Sequence, residues 1–181
     1  GVPVFCKEAT QPVLGYDNMT DVPWKTKWKS CRMKCRFIAM TDAIFNELVG
    51  VGIPTHHIVS VPNGVEIPDE VAEPGQHAEA LYVGNFTQGA GFKGFDVLLQ
   101  AWGMAQRQEP GMRLRLYGRG DTHIWKTYAE EHGCGNSVVF ERETNDIWAA
   151  HRQSGFLVIP SRQEGLSNAL LEAMASGLPS V

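Results

Sequence analysis

Short apolar runs alternate with longer amphipathic ones along this chain, and the alternation becomes regular after residue 79. Val2–Lys7, Arg36–Met40 and His57–Val61 read as brief buried strands. Thr41 caps a predicted helix that runs toward Val49, and the glycines after it and Pro54 end that helix. Pro62-Asn63-Gly64 marks a turn. Pro68–Glu79 is acidic, carries Pro and Gly and has no periodicity, so it reads as a linker. Beyond it come strand Ala80–Gly84, helix Phe95–Gln106, strand Met112–Gly118, a helix over 123–132, strand Ser137–Glu141, helix Asn145–Gln153 and strand Phe156–Pro160. A last helix follows within Glu164–Gly177, and Val181 opens a new strand. Strands alternating with helices predict an α/β fold: a Rossmann-like parallel sheet with right-handed crossovers and helices on both faces. The predicted organisation is a first domain over 1–67, the linker 68–79, and a second domain over 80–181 that stops short of its last elements. Ligands of such sheets lie beyond the carboxyl ends of the strands. The loops after Gly84 and after Pro160 lie at that edge.

Charge and cysteine usage narrow the function classes. Twenty Asp and Glu outweigh 16 Lys and Arg, giving a net charge of −4, and such a balance lends no support to general nucleic-acid binding. No apolar run approaches the ~20 residues of a membrane-spanning helix, and no secretory signal is visible. Cys6, Cys31, Cys35 and Cys134 lack disulfide-rich or zinc-ribbon spacing and suit a reducing cytosol, so a cytoplasmic location is expected. Trp24, Trp28, Cys31 and Cys35 fall on one face of a predicted helix over 24–35, and Lys25, Lys27, Lys29, Arg32, Lys34 and Arg36 fill the remainder. Residues 24–36 therefore either pack a Trp face on the first sheet or attach peripherally to anionic lipid at the inner membrane face.

The run EGLSNALLEAMASG (Glu164–Gly177) carries the most chemistry. Its helix body is apolar apart from Glu172, and a carboxylate among Leu170, Leu171 and Met174 is costly to bury without a partner. Side chains lean toward the helix N-terminus and residues four apart share a face, so Glu172 points past Asn168 toward Glu164 and Gly165. The same helix start presents free N–H groups and a positive dipole end, which attract phosphate. Donors for an anion and an acceptor for hydroxyls suit the diphosphate and ribose of a sugar nucleotide. A helix whose Glu172 pairs locally fits the pattern too.

GNFTQGAGFKG (Gly84–Gly94) joins a strand to a helix. Gly89, Gly91 and Gly94 match the dinucleotide fingerprint, but they start late after the strand, and no acidic residue ends the next strand. Lys93 favours another use, since a cation at a helix start opposes the dipole unless an anion lies between them. A flexible glycine turn with a solvated lysine is the simpler alternative. Arg119 and Asp121 in LYGRGD (Leu116–Asp121) reach the same edge, as pocket residues or as a plain turn.

VPNGVEIPD (Val61–Asp69), LYVGNF with FKGFDVLLQAW (Leu81–Trp102), LRLYGRGD (Leu114–Asp121) and IPSRQEGLSNALLEAMASGLPSV (Ile159–Val181) together resemble the retaining GT-B glycosyltransferases of family 4, glycosyl transferases group 1. The resemblance covers most of the chain after residue 60 and implies a fragment. It holds the end of an acceptor-side domain and a truncated nucleotide-sugar (donor) domain. It implies transfer of a hexose-type sugar, with retention, from a nucleoside-diphosphate sugar to a sugar or lipid-linked acceptor in polysaccharide biosynthesis, with no metal and no further cofactor. By position, Lys93 holds the donor diphosphate and Glu164 sits beside the transferred sugar. Gly165, Leu166, Ser167 and Asn168 contact diphosphate and sugar, and Glu172 grips the ribose. Gly84, Gly94 and Gly118 shape the donor site. Many relatives carry a cation at the position of Asn85, so Arg162 or Arg119 is expected to supply it here. A non-catalytic nucleotide-sugar-binding module, a nucleotide-sugar epimerase and a nicotinamide-dependent oxidoreductase are the competing readings. The common expectation is that Lys93, Glu164 and Glu172 converge at one sheet edge.

Overall fold

The computed structural model describes residues 4–7, 35–50, 52–73, 78–86, 93–162 and 164–181. The chain divides into two compact units, one of residues 1–64 with 163–167, the other of residues 65–162 with 168–181.

In the first unit β1 (Val4–Lys7), β2 (Cys35–Ala39) and β3 (Ile58–Ser60) form a parallel sheet in that order. Helix α1 (Asp42–Gly50) follows β2. The Thr41 hydroxyl accepts from the Ile44 N–H at 3.2 Å, the cap the sequence predicts. Ile44 and Leu48, one turn apart on one face, are buried against Phe37, Ala39 and Ile58. Leu166 packs on the same cluster, so residues 164–167 belong with this unit although they lie far away in sequence. The basic segment 24–34 lies outside the described residues. Cys35, expected to close a helix, instead opens β2, where it pairs with Val4. Parallel pairing has claimed the apolar run Cys35–Ala39 from its first residue.

In the second unit β4 (Glu79–Val83), β5 (Arg113–Tyr117), β6 (Val138–Glu141) and β7 (Phe156–Leu157) are parallel in the order β6-β5-β4-β7. Helices α2 (Phe95–Gln108), α3 (His123–Glu131), α4 (Ile147–Arg152) and α5 (Asn168–Ala175) alternate with them. The period of two sends Ala80, Tyr82, Leu114 and Leu116 to one face, where they meet Phe95, Leu99 and Trp102 of α2 and Ala129 of α3. Leu81 and Leu157 point to the other face and meet Ala150 of α4 and Ala173 of α5. A sheet covered on both faces explains why its strands read as nearly continuous apolar runs. Ala72, inside the acidic segment that reads as a linker, is 4% exposed and donates its N–H to the Ser176 carbonyl at 2.7 Å. That end of the linker is thus fastened to the second unit. Leu157 bridges Ser180, so the strand expected at Val181 begins beside β7. β4 lies between β5, which follows it, and β7, which arrives last. Strand addition reverses at β4, and the crevice outside the carboxyl end of such a strand is where ligands of open α/β sheets bind.

Candidate functional site

A cavity of about 320 Å³ opens at this reversal, wholly within the second unit. The end of β4 contributes Gly84 and Asn85 to its walls, and the end of β5 contributes Gly118 and Arg119. The loop after β6 adds Glu143, Thr144 and Asn145, and α5 adds Glu172. The first two loops stay hydrogen-bonded beyond the strands, Gly84 N–H to the Tyr117 carbonyl at 2.9 Å and Phe86 N–H to the Arg119 carbonyl at 2.7 Å. A Cβ on Gly118 would lie 1.9 Å from the Gly84 oxygen, so only glycine lets the two backbones cross there. Another cavity, of about 340 Å³, is lined by Gln106, Met112 and Cys134, away from every predicted site residue.

Glu172 is half-buried, and burial alone pushes its carboxyl above the usual range. Among the described residues no donor compensates this carboxylate. A half-desolvated acceptor without a donor, on the wall of a cavity, is poised to receive hydroxyl hydrogens from a ligand.

The cations are differently placed. Arg119 is bound by Glu143 through both carboxylate oxygens, with Nη2 to Oε1 at 2.7 Å. Arg162 forks onto Asp96 in the first turn of α2, at 2.9 and 2.6 Å. Each pair holds its carboxyl below the ordinary value, chiefly through the guanidinium hydrogen bonds. In this structure, then, both arginines expected to replace the cation missing at Asn85 sit on carboxylates, and only Arg119 lines the cavity. Lys93 stands one residue before Gly94, the N-cap of α2. Gly94 has φ of 65°, and a Cβ there would lie 2.0 Å from the Pro160 carbonyl. The start of α2 is therefore held against the segment after β7, backbone to backbone. Lys93 is not among the described walls of this cavity.

Asn168 opens α5. Glu164, Gly165, Leu166 and Ser167 fall in the first unit. Gly89 and Gly91 lie outside the described residues. Glu143, Thr144 and Asn145 line the cavity although no motif in the sequence marks them; their place after a predicted strand at the same edge is the available signal. Among the described residues no three His, Cys, Asp or Glu side chains group closely enough to hold a metal ion.

A parallel sheet with helices on both faces and a cavity at its reversal point defines an α/β protein of Rossmann-like type. The chain belongs to the glycosyl transferases group 1 family, whose model matches residues 77–181. It is 32% identical over 129 residues to an uncharacterized glycosyltransferase of Haemophilus influenzae, covering 70% of this chain and 36% of that protein. It is also 32% identical over 123 residues to the putative glycosyltransferase EpsF of Bacillus subtilis, covering 66% and 32%. The chain thus spans about a third of the curated relatives it matches. Among solved structures, a mutant of S. aureus TarM in complex with fondaparinux, alpha-GlcNAc-glycerol and UDP superposes with a TM-score of 0.82 at 15% identity, over 98% of this chain and 36% of that one. Anabaena HepE in complex with UDP-glucose gives 0.79 at 16% identity, over 98% and 52%. These likenesses show the fold, that of the GT-B glycosyltransferases.

Proposed function

We propose that this chain binds the donor in a glycosyltransferase that moves a hexose-type sugar from a nucleoside-diphosphate sugar to a sugar or lipid-linked acceptor, with retention of anomeric configuration. The observation that carries the reading is the uncompensated Glu172 carboxylate on the wall of the switch-point cavity. Ribose hydroxyls supply the donors it lacks, and Asn85, Arg119, Thr144 and Asn145 offer polar groups to the rest of the nucleoside. The UDP and UDP-glucose named with the TarM and HepE structures support a donor of this type.

Sugar transfer passes through an oxocarbenium-like state, here while a nucleoside diphosphate departs. The chain's part is to stabilise negative charge on that leaving group through preorganised cations and helix-start N–H groups. Lys93, at the start of α2, is assigned to the diphosphate. No cofactor besides the donor enters the scheme, and we place the work on the cytoplasmic side.

In a second reading the same cavity and Glu172 bind a nucleotide sugar without transferring it. Calorimetric titration of UDP-, GDP- and ADP-sugars against NAD separates the ligand classes, with a nucleotide sugar expected to bind and NAD not. Release of free nucleoside diphosphate that depends on acceptor then separates enzyme from binder. Binding of NAD alone would sink both readings.

A further inference from the structure

His151 is wholly buried in α4, on the face of the sheet that also carries α5. Its Nδ1 lies 2.9 Å from the Ser176 hydroxyl oxygen. That hydroxyl has one hydrogen and donates it to the Ala173 carbonyl at 2.9 Å. With the hydroxyl hydrogen on that carbonyl, the tautomer assigned to the imidazole has Nδ1–H donating to Ser176, and Nε2 is buried with no partner among the described residues. A buried unpartnered nitrogen destabilises a fold, and an aliphatic side chain would carry no such penalty. The Trp148 ring, edge-on at 5.6 Å between centroids, fills the space beside the imidazole without satisfying Nε2.

Both ends of this hydrogen bond lead to the cavity. Ser176 donates its N–H to the Glu172 carbonyl at 3.0 Å, so it stands one helical turn below Glu172. Four residues before His151, and hence on the same side of α4, is Ile147, which lines the cavity with Asn145 just ahead of it. Ala150 and Ala173 are buried in the same cluster, and such small side chains let two helices approach closely. A directional bond then fixes what loose apolar packing of small residues leaves free to slide.

We propose that His151 is a positioning residue for Glu172. Its bond to Ser176 locks α4 to α5 and sets where the Glu172 carboxylate stands in the cavity. This rests on the reading of Glu172 as the acceptor for ribose hydroxyls.

The test compares, by calorimetry on the full chain, the tightest-binding of UDP, GDP and ADP with its 2′,3′-dideoxy analogue. The ratio of the two affinities reports the grip on the ribose and is blind to a uniform loss of fold. Wild type is expected to prefer the ribose form, and Glu172→Ala to abolish the preference. His151→Leu and Ser176→Ala are each expected to lower the ratio by roughly fivefold or more, since small misplacements of a positioned group are costly. His151→Leu removes the orphan nitrogen, so its melting temperature should not fall. The double variant should lose no more than either single one, because both remove one link. His151→Asn, which can still present an N–H to Ser176, should keep most of the preference. A wild-type ratio in Ser176→Ala, or in folded His151→Leu, would overturn the proposal while leaving the ribose reading intact. Additive losses in the double variant would overturn it in the same way. Absence of any ribose preference in wild type would instead remove the reading beneath it.

Discussion

The two faces of the second sheet are built from different materials. On one, Phe95, Leu98, Leu99 and Trp102 of α2 meet Tyr82, Leu114 and Leu116, and Phe86 closes edge-on against Phe95 at 5.8 Å and Phe140 at 5.7 Å. The one polar group of Trp102 is satisfied, Nε1–H donating to the Ser137 hydroxyl at 3.1 Å. On the other face the core is Ala72, Leu81, Ala150, Leu157, Ala173 and Leu178, with His151, Ser154 and Ser176 buried nearby. The first face has large rings, with the Trp125 Nε1 left without a partner among the described residues, and none of its helices lines the switch-point cavity. The second has small residues, an orphan nitrogen and the half-buried Glu172. The large apolar side chains lie on one side of the sheet, and the small residues and Glu172 lie on the side that shapes the switch-point cavity.

The largest expected effect lies on the aromatic face. Trp102→Ala should cost about 3–5 kcal/mol of stability, read by denaturant unfolding, while the ribose-to-dideoxyribose ratio of any variant that still folds stays at the wild-type value. A shift in that ratio would break the division between the faces.

Next comes pH. Burial lowers the His151 pKa from 6.5 to about 4. Above 6.5 the imidazole is neutral in both states and contributes no pH dependence. As pH falls from about 6.5 to about 4 the unfolded chain takes up a proton that the native state refuses, so stability declines, by about 3 kcal/mol in all if no other group titrates. His151→Leu should flatten that part of the stability profile. A slope unchanged by the substitution would show that the imidazole does not sit neutral in the core.

Glu172 answers in the opposite sense. Its carboxyl titrates above the ordinary glutamate range because it is desolvated, so its burial penalty applies above that raised pKa and is relieved as pH falls through it. Glu172→Gln should therefore raise the melting temperature at neutral pH while lowering nucleotide affinity. A drop in both would mean that a partner within the fold, not a ligand, stabilises the carboxylate.

The smallest effect is expected at the cavity's rim. Arg119 and Glu143 are exposed, with side-chain exposures of 75% and 52%, and such pairs contribute little to folding. Glu143→Gln should leave the melting temperature unchanged within the measurement while altering nucleotide affinity, by freeing the guanidinium beside the cavity. An affinity identical to wild type would exclude the pair from the site.

The sequence predicted every strand and α-helix described in the second unit, because each has its own period and its own stop signals, but not the 3-10 turn over Gly135–Ser137. Boundaries moved at both kinds of element: β7 shortened to Phe156–Leu157, the stretch that pairs with β4, and α2 ran on to Gln108. Glu172 was legible because a lone carboxylate in an apolar helix violates the local pattern. The partners of Arg119 and Arg162 were not, since they lie 24 and 66 residues away and no periodicity links them. The packing of Leu166 with the first unit was equally hidden. His151 left a faint signal, a histidine inside an alanine-rich helix, but only the fold supplies its partner Ser176.

The central claim is that Glu172 faces a ligand's hydroxyls rather than a partner of its own. Isothermal titration of UDP, GDP and ADP into wild type and Glu172→Ala tests it most directly. The account predicts that one of these nucleotides binds wild type and loses about tenfold or more in affinity on truncation, each tenfold being worth about 1.4 kcal/mol, with no loss of thermal stability. Equal affinity in the two proteins, or a variant that melts well below wild type, would contradict it.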